Sequence, residues 1–264
     1  MSKKQLTSQP LTNPEALVRR YASVGVPPSF GYATVADFCD SAEHLPQITG
    51  LNGDLKNVQR PWAVKALLRC VPPPARLLEI GGGEPLVCGF LSELGYDVTL
   101  VDPYDGFGNG PTDYERYRTE YPNVNIVRGY LRPGMTELGQ QRFDGVFSVS
   151  VLEHLTPDLA DTCFEAIREF LQPGGWSVHC FDFILQGVGE AHDPPNARRI
   201  LAGQSQLAGA LPVDFDGLIL QLREDVETFF LSPQGHHQWR GGKTYPEFPF
   251  RKVVSLQTIA RRAT

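Results

Sequence analysis

Glu79, Gly81, Gly83 and Asp102 hold the first chemistry that can be read from this chain. The run Arg76-Leu-Leu-Glu-Ile-Gly-Gly-Gly-Glu-Pro85 reads as a buried strand entering a glycine turn, with a helix to follow. Val98-Thr-Leu-Val-Asp102 reads as a second strand ending in an acid. Glycines let the backbone approach a ligand, and a carboxylate at a strand end can accept hydrogen bonds from a ribose diol. The pattern predicts a nucleoside cofactor at the edge of an α/β sheet. An ordinary α/β turn is the plainer explanation. Further along, Phe143-Asp-Gly-Val-Phe-Ser-Val-Ser-Val-Leu-Glu-His-Leu155 reads as a buried strand with Glu153 and His154 just beyond its end. Histidine can take up a proton near neutral pH. In His236-His237-Gln-Trp239-Arg240, a Trp beside Arg and paired His suits a polar, hydroxylated substrate; a loop packed by its own aromatics explains it equally well.

A dinucleotide site would need G-x-G-x-x-G, whose third glycine allows close helix–strand packing. Here Gly81-x-Gly83-x-x runs into Leu86, so that fingerprint is broken. Glu79-x-Gly81-x-Gly83 instead resembles motif I of the class I S-adenosylmethionine (SAM)-dependent methyltransferases, with Pro85 where a third glycine is usual. Phe143–Leu155 looks like the family's motif IV. Leu171-Gln-Pro-Gly-Gly175 before Trp176–Phe181 resembles its helix end, turn and fifth strand. The resemblance covers residues 60–183 well and the rest weakly.

The resemblance implies SAM as cofactor. Glu79, Gly81 and Gly83 would line its methionine moiety, and Arg60 would pair with its carboxylate. Asp102 would hold the ribose, with Pro103 and Tyr104 walling the adenine. The family's acid after the third strand is replaced by Gly129-Tyr130-Leu131, leaving backbone at Tyr130 and Leu131 to serve. Ser148 and Val149 would turn carbonyls toward the SAM ammonium. His154 is the leading base, with Glu153 beside it; alternatively Leu-Glu-His-Leu simply starts a helix. Ubiquinone-biosynthesis O-methyltransferases carry Glu-x-x-Glu-His here and bind a divalent ion with it. This chain has Ser150-x-x-Glu153-His154, so an Mg²⁺ site would need Asp182, His192 or Asp193 as well. His236, His237, Trp239 and Arg240 are the candidate substrate residues.

The elements that must position these groups alternate. Strands are expected at Arg76–Ile80, Val98–Val101, Val124–Arg128, Gly145–Val149 and Trp176–Phe181. Helices are expected at Ala63–Cys70, Leu86–Leu94, Tyr114–Glu120 and Pro157–Leu171. A closing antiparallel hairpin is expected from Thr228–Leu231 and Lys252–Ala260. This predicts a Rossmann-like, doubly wound, mostly parallel seven-stranded sheet. Residues 1–58 are read as a tail and helical lid, 59–264 as the SAM-binding domain, and about 184–227 as an inserted substrate cap.

With 264 residues, 41% of them hydrophobic, the chain can bury a sizeable core. A net charge of −6 argues against nucleic acid, which needs clustered Lys and Arg. Five cysteines without C-x-x-C spacing read as reduced core residues of a cytoplasmic protein. No apolar run reaches membrane-spanning length. The expected function is O-methylation of a sugar or oligosaccharide hydroxyl, with Mg²⁺ assistance and a homodimer left open. The alternatives are a phenolic or carboxylate acceptor, a SAM-binding partner subunit without activity, and a hydride-transfer enzyme.

Overall fold

A computed structural model describes residues 11–50, 54–106, 110–188, 192–211 and 213–264. Three helices and a short strand come first: α1 (Pro14–Ala22), β1 (Phe30–Tyr32), α2 (Val35–His44) and α3 (Lys56–Cys70). The alternating unit follows as β2 (Arg76–Ile80), α4 (Leu86–Glu93), β3 (Asp97–Asp102), α5 (Tyr114–Glu120), β4 (Val124–Arg128), β5 (Phe143–Val149), α6 (Pro157–Phe170) and β6 (Leu171–Gln186). The chain ends with α7 (Pro194–Ala208), α8 (Phe215–Glu224), α9 (Pro233–Trp239) and β7 (Lys252–Arg261).

The sheet order is β1-β7-β6-β5-β2-β3-β4. Strands β2 to β6 run parallel to one another, while β7 runs antiparallel to β6 and to β1. The chain winds outward from β2 to β4 and then returns to lay β5 on β2's other side. That reversal between β2 and β5 is where an open parallel sheet forms a crevice for ligands.

Side chains alternate across the strands, so one strand feeds two cores. Leu77 packs with Val98, Leu67 and Leu91 on one face. Leu78 packs with Val101, Val146 and Ile167 on the other. Helix α7 crosses α6 closely at Gly203, where a Cβ would lie 2.4 Å from the Phe164 ring.

The seven-stranded sheet is present, but its edge differs from expectation. Thr228–Leu231 is not a strand; Thr228 and Phe230 make only isolated bridges, to Thr34 and Val254. The edge place along Leu256–Thr258 belongs to β1, which comes from the N-terminal segment. Leu231 N–H bonds the Val253 carbonyl, so the two segments share the edge of β7 end to end. Pro173-Gly-Gly175 does not turn the chain away. Strand β6 starts directly after α6, and those residues form an irregularity between the Phe143–Leu171 and Gly145–Trp176 pairs. Helix α3 starts seven residues before the expected Ala63 and runs through Pro61, at the cost of one internal hydrogen bond. The boundary drawn between residues 58 and 59 therefore falls inside it. Among the described residues no helix is long and apolar enough to cross a membrane.

Candidate active site

A cavity of about 540 Å³ opens beyond the carboxyl ends of β2, β3 and β5. That is within the usual size range for small-molecule sites. Arg60, Gly81, Gly83, Asp102, Pro103, Tyr130, Leu131 and His154, all expected there, line it.

Asp102 is held by the turn that it serves. Its Oδ2 accepts the Gly83 N–H at 2.9 Å and its Oδ1 accepts the Tyr104 N–H at 2.7 Å. Burial raises its pKa, and the two backbone donors oppose that rise. A carboxylate offers about four lone-pair sites, so two bonds leave room for a vicinal diol. Gly81 and Gly83 adopt φ of +66° and +59°, a region open to glycine and strained for most other residues. Gly82 is needed for space, since a Cβ there would lie 2.6 Å from the Glu79 carboxyl carbon.

Glu79 lies beneath this turn instead of lining the cavity. It is 2% exposed and accepts the Cys88 thiol hydrogen at 2.8 Å. Burial pushes its pKa up to about 7, with the Cys88 hydrogen bond and the Arg60 charge pulling the other way. Tyr104 is also not a wall. Its ring is buried and its hydroxyl donates to the Gly83 carbonyl at 2.8 Å, bracing the turn from below. Tyr130 sits at the rim and donates to Asp105 Oδ2 at 2.7 Å.

Arg60 projects from α3 into the cavity. Burial lowers its pKa, opposed by the charges of Asp54, Glu84 and Glu79. It makes no ion pair with any described residue. A half-buried guanidinium with no bonded anion among the described residues suits a carboxylate, which it can bind with two parallel hydrogen bonds.

At the end of β5 the lining residues are Ser150 and Val151, not Ser148 and Val149. Ser148 turns away and bonds His179 Nδ1 at 2.8 Å, while Val149 is buried in the core. Ser150 holds φ +57°, an unusual conformation for a non-glycine residue, with its N–H bonded to the Cys180 carbonyl. His154 lies on the short 3₁₀ turn Leu152–His154 and faces the cavity. Burial, and then the Lys56 charge, lower its pKa.

Glu153, His154, Asp182, His192 and Asp193 do not gather into a metal site. Glu153 is 1% exposed and takes the Asp182 backbone N–H on Oε1 at 2.9 Å. Asp182 receives Gln59 Nε2 at 2.8 Å and Ser150 Oγ at 3.4 Å. Asp193 caps α7 by accepting the Asn196 N–H at 3.0 Å. Burial raises the pKa values of both Glu153 and Asp182. Among the described residues no three such side chains are grouped to hold a metal ion. Glu153 therefore acts from below the floor, fixing the turn that carries His154, and not as a group that meets substrate.

The His236–Arg240 stretch is the helix α9 and its end, not a loop. His236 is 4% exposed and stacks on Phe248, with ring centroids 5.5 Å apart. His237 Nδ1 accepts from Arg240 Nε at 3.1 Å, and Trp239 packs beside Leu55, Leu231 and Val253. None of the four lines the cavity. Lys56 and Ser150, which do, were not singled out from the sequence. With α3 read as starting at Ala63, the four-residue spacing that puts Lys56 on the same face as Arg60 goes unseen.

Residues 55–193 match the family model described as a methyltransferase domain. The uncharacterized protein Rv1509 of Mycobacterium tuberculosis is 32% identical over 131 residues, 48% of this chain and 42% of its own length. The chain thus aligns with less than half of that relative. Among solved structures, a putative sarcosine dimethylglycine methyltransferase from Galdieria sulphuraria aligns with a TM-score of 0.50 at 12% identity, over 86% of this chain and 98% of that one. The 1,6-didemethyltoxoflavin-N1-methyltransferase of Burkholderia thailandensis aligns with a TM-score of 0.46 at 19% identity, over 97% and 93%. At 12% identity the first of these likenesses speaks to fold alone. The domain match covers more than half of the chain and coincides with the elements that build the cavity, so the chain belongs to the methyltransferase-domain family.

Proposed function

We propose that the protein is a SAM-dependent O-methyltransferase for a small polar acceptor, with a sugar or oligosaccharide hydroxyl the first choice. The observation that carries this reading is one cavity holding three prepared groups: a preset Asp102 carboxylate, an unpaired Arg60 and the imidazole of His154. The domain match and the SAM-type motif I support it.

When bound, SAM supplies a methyl group activated by a sulfonium. Arg60 would bind its carboxylate and Asp102 its ribose diol. Glu79, below the glycine turn, adds negative charge near the cationic end. His154, neutral near pH 7, would accept the acceptor's hydroxyl proton as the new carbon–oxygen bond forms. The carbon–sulfur electron pair leaves with the sulfur. Val151, Leu155 and Leu159 give this end of the cavity apolar walls that exclude water.

Calorimetric titration with SAM and S-adenosylhomocysteine (SAH) is the first test, followed by sugar, phenol and carboxylate acceptors with labelled SAM. Micromolar binding and transfer to a hydroxyl are expected. Binding without transfer to any acceptor would favour a partner subunit that only holds SAM. No binding of either nucleoside would overturn the proposal.

A further inference from the structure

The acceptor end of the cavity holds a charge that the reading above leaves unused. Lys56 opens α3 and lines the same cavity as His154. Its backbone N–H bonds Asp54 Oδ1 at 2.9 Å, but its ammonium makes no hydrogen bond or ion pair with any described residue. It lies one helical turn before Arg60, so both cations project from the same face of α3.

The acids that feel the Lys56 charge are committed elsewhere. Glu79 is bonded to the Cys88 thiol, and Asp182 to Gln59 and Ser150. The charge also reaches His154, where it opposes protonation. Two further polar atoms without a described partner lie past His154. His192, whose ring meets His154 edge-on, has a buried Nδ1 without a hydrogen-bond partner. Arg251, whose charge reaches His192, has a buried Nε without one. Buried polar atoms are normally paired, but neither residue is among those that line the cavity, so the anion is assigned to Lys56.

We infer that the acceptor carries an anionic group, a carboxylate or a phosphate, and that Lys56 binds it beside His154. This rests on the methyltransferase reading and narrows its substrate class: a hydroxyl is methylated on a molecule that also bears an acid, such as an acidic or phosphorylated sugar. The two α3 cations divide the work. Arg60, with its planar fork, suits the cofactor carboxylate, and Lys56, a compact point charge, suits the acceptor's anion.

The test needs no knowledge of the acceptor. The thermal midpoint of the protein, free and saturated with SAH, would be compared in acetate, phosphate and chloride at equal ionic strength. Acetate or phosphate is expected to raise the midpoint of the SAH complex above that in chloride, and whichever acts identifies the acid. Lys56→Gln should weaken the anion by about tenfold to a hundredfold, the range for a lost charged hydrogen bond. Lys56→Arg should restore much of it. Calorimetric SAH affinity should stay within about threefold of wild type in both variants. Equal anion stabilisation in wild type and Lys56→Gln would overturn the inference. So would no anion effect at all, or a large loss of SAH affinity in Lys56→Gln, which would assign Lys56 to the cofactor. Failure of the wild-type protein to bind SAH would instead remove the methyltransferase reading.

Discussion

The imidazoles of His154 and His192 meet edge to face, with ring centroids 5.1 Å apart and planes at 84°. One ring lines the cavity, and the other backs it from the turn before α7. Burial lowers the pKa of both, that of His192 to about 4. The His154 charge would also disfavour protonation of His192, while partial burial and the Lys56 charge keep His154 itself neutral and ready to accept a proton at neutral pH.

Replacing His154 with Ala should therefore lower kcat by about a hundredfold to ten-thousandfold, as expected on losing a general base. SAH affinity should be unchanged, because the cofactor contacts lie elsewhere. The wild-type rate should rise with pH only below the ordinary histidine pKa and be flat above neutrality. A His154→Ala enzyme with full kcat, or a rate that climbs through pH 8, would show that the proton leaves by another route.

Asp102 gives a sharper contrast between binding and folding. Asp102→Asn keeps an acceptor oxygen for one backbone N–H but loses the charge. Asp102→Ala abandons both the Gly83 and Tyr104 donors. Each buried donor left unpaired costs about 1–3 kcal/mol. Asp102→Ala should thus lose about twice the stability in urea that Asp102→Asn loses, two unpaired donors against one, while both lose SAM affinity. Equal SAM affinity in all three proteins would exclude Asp102 from the cofactor site.

Much of this site was legible because its parts are local. The glycine turn, the acid ending β3 and His154 after β5 each sit at a strand end, where short patterns specify both element and position. Three features escaped for reasons of distance or context. The edge strand β1 is three residues long and recruited by β7 from more than two hundred residues away. Pro61 masked the true start of α3, and with it Lys56. The polar, aromatic composition of His236–Arg240 fits a binding loop, yet Phe248, Tyr245 and Phe250 enclose His236 against it. Composition could not tell these two uses apart. Glu153 likewise has the right type and place for catalysis, and only its bond to the Asp182 N–H shows it turned inward.

Glu79 predicts a proton linkage. Its pKa is raised to about 7 in the free protein, so near pH 6 it is largely protonated. A sulfonium and an ammonium placed over the glycine turn would favour the carboxylate and lower that pKa. SAM binding near pH 6 should then release up to about one proton, fading above pH 8, where Glu79 is already ionised. Calorimetry in buffers of different ionisation enthalpy measures this directly. Glu79→Gln should abolish the release, and persistence of it in that variant would point to another group.

His179 makes the complementary prediction for stability. Fully buried between β5 and β7, it bonds Ser148 Oγ through Nδ1 at 2.8 Å and Ser177 Oγ through Nε2 at 2.7 Å. Burial lowers its pKa to about 3. The unfolded chain, with an ordinary histidine, binds the proton first as pH falls. The stabilisation is therefore complete above about pH 6.5 and drains away between there and about pH 3, by up to about 1.4 kcal/mol per pH unit. Glu79 acts in the opposite sense, since its raised pKa costs stability as pH rises from the ordinary carboxylate range to about 7, where the loss levels off. Urea unfolding at pH 5 and pH 7.5 compares the two, because the raised pKa values of Glu79, Glu153 and Asp182 offset the gain from His179 over this range. His179→Gln can still bond a serine and has nothing to titrate, so its stability at pH 7.5 relative to pH 5 should fall below that of wild type by roughly one proton's worth. An unchanged difference would mean that the acid sensitivity lies elsewhere, with half-buried His192, whose pKa is also lowered, the next residue to test.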